Sequence, residues 1–449
     1  MTSEPVRPLR RILGLGFGLA FVFGTMVGVG ILRLPGTVAA ALGDRTLIMV
    51  FWALGGLYAL MGAVAVAELA AMFPETGGFR VYARRAFGEG FGFAVGWCDW
   101  LCNAAILAYV AMTAVAFLGA MWPAGALYPR TVAVSTVAVF TGIHWAGIRI
   151  ASTLTRIISM AIGLMLMILV VACFFTPPVA HPGGLALATA AASLPVMSMA
   201  MLFAVVTAFR AILLSYGGWY APIYMAEENT DPARTLPRAI IGGALLVAAL
   251  YLLINLAFVR VLPLSVLAAS ELPAADVASA VLPRGGATLV TVISLLTILS
   301  LLNNVLLMGS RVLYAFGRDG FFTHKAAAVS ASGTPRVALA LTSVAAVVLI
   351  LSGTFAQTIA LAAVLFLLYY VSAFMAVFVL RYREPLRPRP YKAFGYPFST
   401  AIVLAGSVLF LIAALVQDPR SGLIAAVILA GCVPIYAWIV RRRRAGPSS

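Results

Sequence analysis

Long apolar runs separated by short charged punctuation fill the chain from residue 13 to residue 440. A helix needs roughly 20 apolar residues to cross a bilayer. The pattern therefore predicts twelve spans, at 13–42, 46–73, 91–119, 131–147, 152–175, 195–226, 237–262, 286–317, 337–353, 356–381, 398–416 and 420–440. Most read as plain Leu/Ala/Val helices, but the first and sixth do not. The first carries Gly24-Thr25-Met26-Val27-Gly28-Val29-Gly30-Ile31-Leu32-Arg33-Leu34-Pro35-Gly36, and the sixth carries Ser215-Tyr216-Gly217-Gly218-Trp219-Tyr220-Ala221-Pro222.

Gly costs about 1 kcal/mol and Pro about 3 kcal/mol in a helix interior. Backbone groups freed in lipid cost several kcal/mol each unless protein or a water-filled cavity satisfies them. Two clustered breaks, one per five-helix half, are the pattern of inverted repeats with a midplane binding site. Half-helix N–H groups there suit a carboxylate and freed carbonyls suit an ammonium, so the chemistry fits a zwitterion. Gly14, Gly16 and Gly18 are read instead as residues that let helices approach closely.

Composition supports the membrane class: of 449 residues, 63% are hydrophobic and 10% charged, against about 25% charged in a soluble domain. The net charge of +16 could suggest nucleic acid. With the N-terminus inside, however, 23 of the 30 Lys and Arg residues fall on the cytoplasmic face, from Arg7, Arg10 and Arg11 to the Arg381–Lys392 and Arg441–Arg444 clusters. That is the positive-inside bias, so the charge reads as topology in a bacterial-type inner membrane with both termini cytoplasmic. The first apolar run is too long for a signal peptide and is read as a retained helix. Cys98, Cys102, Cys173 and Cys432 fall inside spans, which predicts neither disulfide nor metal site.

Ionisable residues inside spans are functional suspects by default. Asp99 lies roughly 14 Å into the third span if that helix enters near Gly90, with Asn103 one turn further on. Three readings stay open for Asp99: counter-ion to a basic substrate side chain, proton carrier, or internal ion pair. Arg33 and Arg210 fall in the outer halves of the first and sixth spans, where they either face a vestibule or snorkel outward. Glu68, Glu227 and Glu228 read as interfacial partners of loop arginines, with Glu227 also a candidate gate. Of Asn303 and Asn304, Asn304 is placed at the site; Tyr369 and Tyr370 read as packing. His144, His181 and His324 are scattered, and nothing else assembles a nucleophile, base or cofactor site, so an enzyme is excluded.

Four stretches resemble the amino acid, polyamine and organocation permease superfamily, whose members have the LeuT-type fold. These are Gly28-Val29-Gly30-Ile31 with Pro35-Gly36, Glu68-Leu69 with Pro74 and Gly77-Gly78, Gly217-Gly218-Trp219 leading to Glu227-Glu228-Asn229-Thr230-Asp231-Pro232 and Leu236-Pro237-Arg238-Ala239-Ile240, and Ser310-Arg311-Val312-Leu313-Tyr314. Arg389-Pro390-Tyr391-Lys392 with Gly395-Tyr396-Pro397 extends the likeness to residue 397. The resemblance implies an all-α integral membrane protein of twelve transmembrane helices with a 5+5 inverted repeat: segment 1–12, repeats 13–175 and 195–381, a helix pair 398–440, and tail 441–449.

It also implies secondary active transport of amino acids by alternating access, with basic amino acids and related amines among the candidates, as proton-coupled symporter or exchanger. A polyamine permease and a non-transporting amino acid sensor are the alternatives. By the same likeness, Thr25, Gly28, Val29, Gly30 and Ile31 would hold the substrate carboxylate, and Ser215, Tyr216, Gly217, Gly218 and Trp219 the ammonium side. Trp100-x-x-Asn103 is similar to the third helix of the family's arginine and agmatine exchanger. The chain departs from the family in lacking a lysine midway along the fifth helix, where Met165 stands, and in placing Tyr220 where the exchanger has a glutamate. Ser294, Thr297 and Ser300 read as hydroxyls bonding back to their own helix.

Overall fold

The computed structural model describes residues 8–121, 127–177, 199–352 and 355–444. Arg7, His181, the 195–198 start of the sixth predicted span and the end of the tail lie outside the described residues. The order is α1 (Leu15–Met26), α2 (Val29–Leu42), α3 (Arg45–Met72), α4 (Phe79–Phe87), α5 (Glu89–Met121), α6 (Pro129–Ala146), α7 (Ile148–Phe175) and α8 (Met199–Ser215). A 3-10 segment (Ala221–Glu228) leads to α9 (Pro232–Val261), α10 (Leu264–Ala269), α11 (Pro273–Val281), α12 (Gly286–Arg318), α13 (Arg336–Ser352), α14 (Phe355–Arg383), α15 (Phe398–Gln417) and α16 (Pro419–Arg444).

Among the described residues, α3, α5, α7, α9, α12, α14, α15 and α16 are long and apolar enough to cross a membrane. The α1–α2 pair, bent by 45° at its break, makes a ninth candidate. The protein is a multi-pass membrane protein. The predicted spans 131–147, 195–226 and 337–353 correspond to α6, α8 and α13. They fall short because α6 carries Arg130 and His144, and α8 and α13 have 17 residues each.

Local chemistry sets the boundaries. Asp44 caps α3 by accepting from the Leu47 N–H at 2.8 Å, which satisfies one of the donors every helix start leaves open. Pro232 opens α9 at a position where no N–H is needed. Helix α1 packs on α7, α9 and α12, α3 on α9, and α5 on α12 and α14. A Cβ on Gly18 would come within 2.6 Å of the Ala239 Cβ, so this glycine does permit close α1–α9 approach. Gly14 and Gly16 have nothing within 4 Å and do not serve that purpose.

At one end of the bundle the chain is tied together by charge and main-chain bonds. The Ile12 and Leu13 N–H groups donate to Glu228 O at 3.0 and 2.9 Å, and Thr230 N–H returns to Leu13 O at 2.9 Å. Arg443 near the end of α16 donates to the Asp319 and Gly320 carbonyls. This basic end gathers the starts of α1 and α9 and the ends of α3, α12, α14 and α16.

Candidate functional site

Both predicted breaks are present. Helix α1 stops at Met26, Val27 and Gly28 are extended, and α2 restarts at Val29. Helix α8 stops at Ser215, and Gly218 has φ +115° before the 3-10 segment that Pro222 helps to start. The two breaks touch. A Cβ on Gly218 would stand 2.8 Å from Thr25 C and O and 3.0 Å from Met26 N, so backbone meets backbone and only glycine fits. A Cβ on Gly30 would lie 3.1 Å from Ser215 Oγ, while Gly28 has open space around it and an ordinary extended φ.

The freed carbonyls find a partner that sequence reasoning missed. The Tyr251 hydroxyl of α9 donates to Met26 O at 2.8 Å, with Ser215 O as a second acceptor at 3.2 Å. One buried side chain thus serves both broken helices, as the cost of orphaned carbonyls in lipid requires. Its sequence signal was a single tyrosine in a Leu/Ala-rich helix. Loss of a buried bond of this kind costs about 1–3 kcal/mol. Tyr251→Phe is therefore expected to lower uptake by about tenfold at unchanged membrane abundance, checked by initial-rate uptake against quantified surface protein.

A cavity of about 400 Å³ begins at the second break, with Tyr216, Gly217 and Trp219 in its wall. Tyr58 and Gly62 of α3, Ile106 and Tyr109 of α5, Phe366, Tyr370 and Phe374 of α14, and Phe410 and Gln417 of α15 are among the other lining residues. The volume lies within the range of small-molecule sites, about 300–1,000 Å³. Its floor is aromatic: Trp219 stacks on Tyr370 at 5.5 Å, and Tyr370 meets Phe366 at 4.2 Å and Tyr220 edge-on at 5.5 Å. Tyr370 therefore both packs and closes the cavity, while Tyr369, outside the lining, packs on Phe79 at 4.7 Å. Tyr216 donates to Trp52 O at 3.1 Å and lies against the Trp52 ring. Arg210 sits in the lining bonded to Gln417 of α15. Arg33 is exposed on α2 and forms no ion pair among the described residues.

Of the predicted site residues, Tyr216, Gly217, Trp219 and Arg210 line this cavity; Ser215, Gly218 and the first-break residues Thr25 and Gly28 to Ile31 lie beside it, and Asn304, Asp99 and Asn103 do not line it either. Asp99 is fully buried beyond the aromatic floor, where its Oδ1 accepts from the Tyr224 hydroxyl at 2.7 Å and from Asn103 Nδ2 at 2.9 Å. A Cβ on Gly78, which has φ +67°, would meet Asp99 Oδ2 at 2.7 Å. The carboxylate thus lies at the N-terminus of α4, where a helix dipole favours negative charge. In this arrangement it joins α5, α4 and the 3-10 segment, and no arginine forms an ion pair with it among the described residues.

Polar groups on α12 make a second set of ties to the first break. His144 Nε2 and Asn303 Oδ1 are 2.8 Å apart, Asn303 Nδ2 donates to Thr155 Oγ1 at 2.8 Å, and Thr155 donates to Asn304 Oδ1 at 3.1 Å. Asn304 Nδ2 then donates to Thr25 Oγ1 at 3.0 Å, and Thr25 to Phe21 O at 2.7 Å. The chain runs from α6 through α12 and α7 to α1, just before the break. Asn304 therefore reaches the break, and Asn303 links helices.

The basic end below the floor is closed. Glu227 pairs with Arg318, accepts from Thr76 N at 2.9 Å, and its own N–H donates to Thr76 Oγ1 at 3.2 Å. Asp319 takes Arg80 at 2.7 Å and Arg84 at 3.0 Å, and Glu75 takes Arg84 and Arg85 at 2.6 Å each. Burial alone would push the Asp319 carboxyl up, but the Arg80 and Arg318 guanidiniums outweigh it and hold it below its ordinary value. Glu68 binds Arg381 through both oxygens at 2.9 and 2.5 Å. Glu228 binds Arg311 through both oxygens at 2.9 and 3.2 Å. The acids do pair with arginines; Arg389, 3.3 Å from Glu68, is a loop residue, whereas Arg311 and Arg318 belong to α12 and Arg381 to α14. All four cysteines are free and buried. No group of three or more His, Cys, Asp or Glu residues is placed to hold a metal among the described residues.

Comparison with known proteins agrees over nearly the whole chain. The chain is 28% identical over 445 residues to the serine/threonine exchanger SteT of Bacillus subtilis, covering 97% of this chain and 98% of that one. It is 27% identical over 423 residues to the branched-chain amino acid permease BcaP of Lactococcus lactis, covering 87% and 86%. It is 24% identical over 425 residues to the b(0,+)-type amino acid transporter 1 of Mus musculus, covering 93% and 85%. These relatives are transporters rather than enzymes. Residues 18–438 match the family of amino acid permeases, and this chain belongs to that family.

Proposed function

We propose that this permease carries an amino acid across the bacterial inner membrane by alternating access, with the substrate held where the two breaks meet. The observation that carries the reading is the backbone contact of Gly218 with Thr25 and Met26 beside the open space at Gly28. Gly28, Val29 and Gly30 with Ile31 would present N–H groups to the carboxylate. Carbonyls of Ser215 to Gly218, with Trp219 and Tyr216 above them, would take the ammonium. Twelve spans arise if α1–α2 and α8 with its 3-10 segment each count as one, with α6 and α13 as shielded spans. The 5+5 repeat is then 13–175 and 195–381, followed by 398–440. The basic end would face the cytoplasm with both termini. Opening toward it would require Glu227 to release Arg318.

The cavity lining favours a neutral side chain. Among the described residues no carboxylate lines it, and Arg210 is the charged lining residue. A cationic side chain would find ring faces worth about 0.5–2 kcal/mol against a desolvation cost of several kcal/mol. In this reading Asp99 supports α4 and the 3-10 segment, not a substrate cation. The names of the relatives, which include serine/threonine and branched-chain carriers, lend support.

Counterflow in proteoliposomes with unlabelled competitors tests the reading. Neutral aliphatic or aromatic amino acids are expected to compete at least about tenfold better than lysine, arginine or putrescine. Strong competition by lysine or arginine would restore Asp99 as a counter-ion. Putrescine alone competing would indicate a polyamine permease, and binding without flux a sensor. Repeating the assay with and without a pH gradient separates proton symport from exchange.

A further inference from the structure

We propose that the groove between α1, α7 and α9 is a binding site for one anionic glycerophospholipid, its acyl chain along the groove and its phosphate on Arg156 and Arg238. The groove has a volume of about 810 Å³ and lies apart from the substrate cavity. Leu19 and Phe23 of α1, Met160 and Leu164 of α7, and Leu246 and Leu253 of α9 line it. Met160 and Leu164 are 74% and 63% exposed, so the groove faces the bilayer and not the protein interior. Two glycines keep it open: a Cβ on Gly16 would meet nothing within 4 Å, and one on Gly163 would reach the Phe23 ring at 3.4 Å. Along α7 the lining runs from Thr153 to Met167, roughly 21 Å at 1.5 Å per residue, which matches an extended acyl chain in one leaflet.

Charge at one end of the groove argues for a phosphate. Arg156 lines it and donates to Thr153 Oγ1 at 3.2 Å. Arg238 lies eight residues before Leu246 on α9, which at two steps of i,i+4 puts it on the same helix face. Both arginines are exposed, and both lie toward the basic end from which α7 and α9 run. Neither forms an ion pair among the described residues, whereas Arg80, Arg84, Arg311, Arg318 and Arg381 at that end all do. Arg156 in the lining, with Arg238 beyond it toward the same end, matches a headgroup and its tail together. A free phosphate would satisfy only the first. Occupied, the site braces the inner half of α1, the segment that carries Thr25 to the break.

The test is lipid retention by native mass spectrometry of the full-length protein, titrated with phosphatidylglycerol, with phosphatidylcholine of the same chains, and with glycerol phosphate. Phosphatidylglycerol is expected to remain bound at least about fivefold more than phosphatidylcholine, with no glycerol phosphate adduct. Arg156→Gln with Arg238→Gln should remove the headgroup preference, and Gly16→Leu, which fills the slot, should remove the adduct itself. Equal retention of both lipids, or an unchanged preference in the double variant, overturns the proposal. A glycerol phosphate adduct as strong as the lipid's overturns it in favour of a simple anion site. The readout needs no flux, so a protein that fails to transport leaves this result standing on its own.

Discussion

Replacing Gly218 by alanine is expected to lower transport more than tenfold at normal membrane abundance, and by clearly more than Gly217→Ala next to it, which lines the cavity but meets no main chain of the first break. The two glycines are equivalent in sequence and different in space. Gly218 has φ +115°, and its added Cβ would fall 2.8 Å from the Thr25 carbonyl. A non-glycine residue there costs about 1–3 kcal/mol in backbone strain before any clash, and the neighbour is main chain, which cannot turn aside. Gly217 has no positive φ, and its Cβ would meet only Leu214 O at an ordinary 3.6 Å. Initial-rate uptake normalised to surface protein checks the pair. Parental transport by Gly218→Ala would mean that the contact between the breaks is dispensable, and the proposed site would go with it. Gly28→Leu works differently: it fills open space at an ordinary φ, so it should abolish substrate binding while leaving the folded protein intact.

The breaks themselves were legible because Gly and Pro are costly inside a membrane helix, and clusters of them in two apolar runs have few other uses. Their contact was not legible, since nothing in a linear pattern says which glycine will face which carbonyl. Tyr251 shows the same limit: a lone tyrosine in a Leu/Ala helix reads as packing until its hydroxyl is seen between Met26 O and Ser215 O. Asp99 shows a second limit. Counting residues gives depth along a helix but not the direction of a face, and α4, whose N-terminus meets the carboxylate, was not among the predicted elements. The charged ties at the basic end were anticipated as acid–arginine pairs. Their partners could not be assigned because Glu68 and Arg381 are 313 residues apart in the chain.

Arg311→Met is expected to destabilise the protein by about 3–5 kcal/mol, the usual result of leaving one member of a buried ion pair unpaired. Arg311 is 1% exposed and Glu228 0%, so water cannot take over either role. The guanidinium grips both carboxylate oxygens, and Glu228 O also receives the Ile12 and Leu13 N–H groups. The loss would therefore loosen the N-terminal segment and the 3-10 segment together. Adding Glu228→Leu to Arg311→Met should recover most of the stability, because replacing both charges with apolar groups of similar volume is often neutral or stabilising. Thermal melting of detergent-solubilised protein, followed by size-exclusion fluorescence, measures both steps. Transport separates structure from gating. If the pair only holds the fold, the double variant should regain uptake along with stability. If it is a latch that must open and re-form during the cycle, the double variant will be stable and slow. An Arg311→Met protein that melts like the parent would show that neither role is filled by this pair.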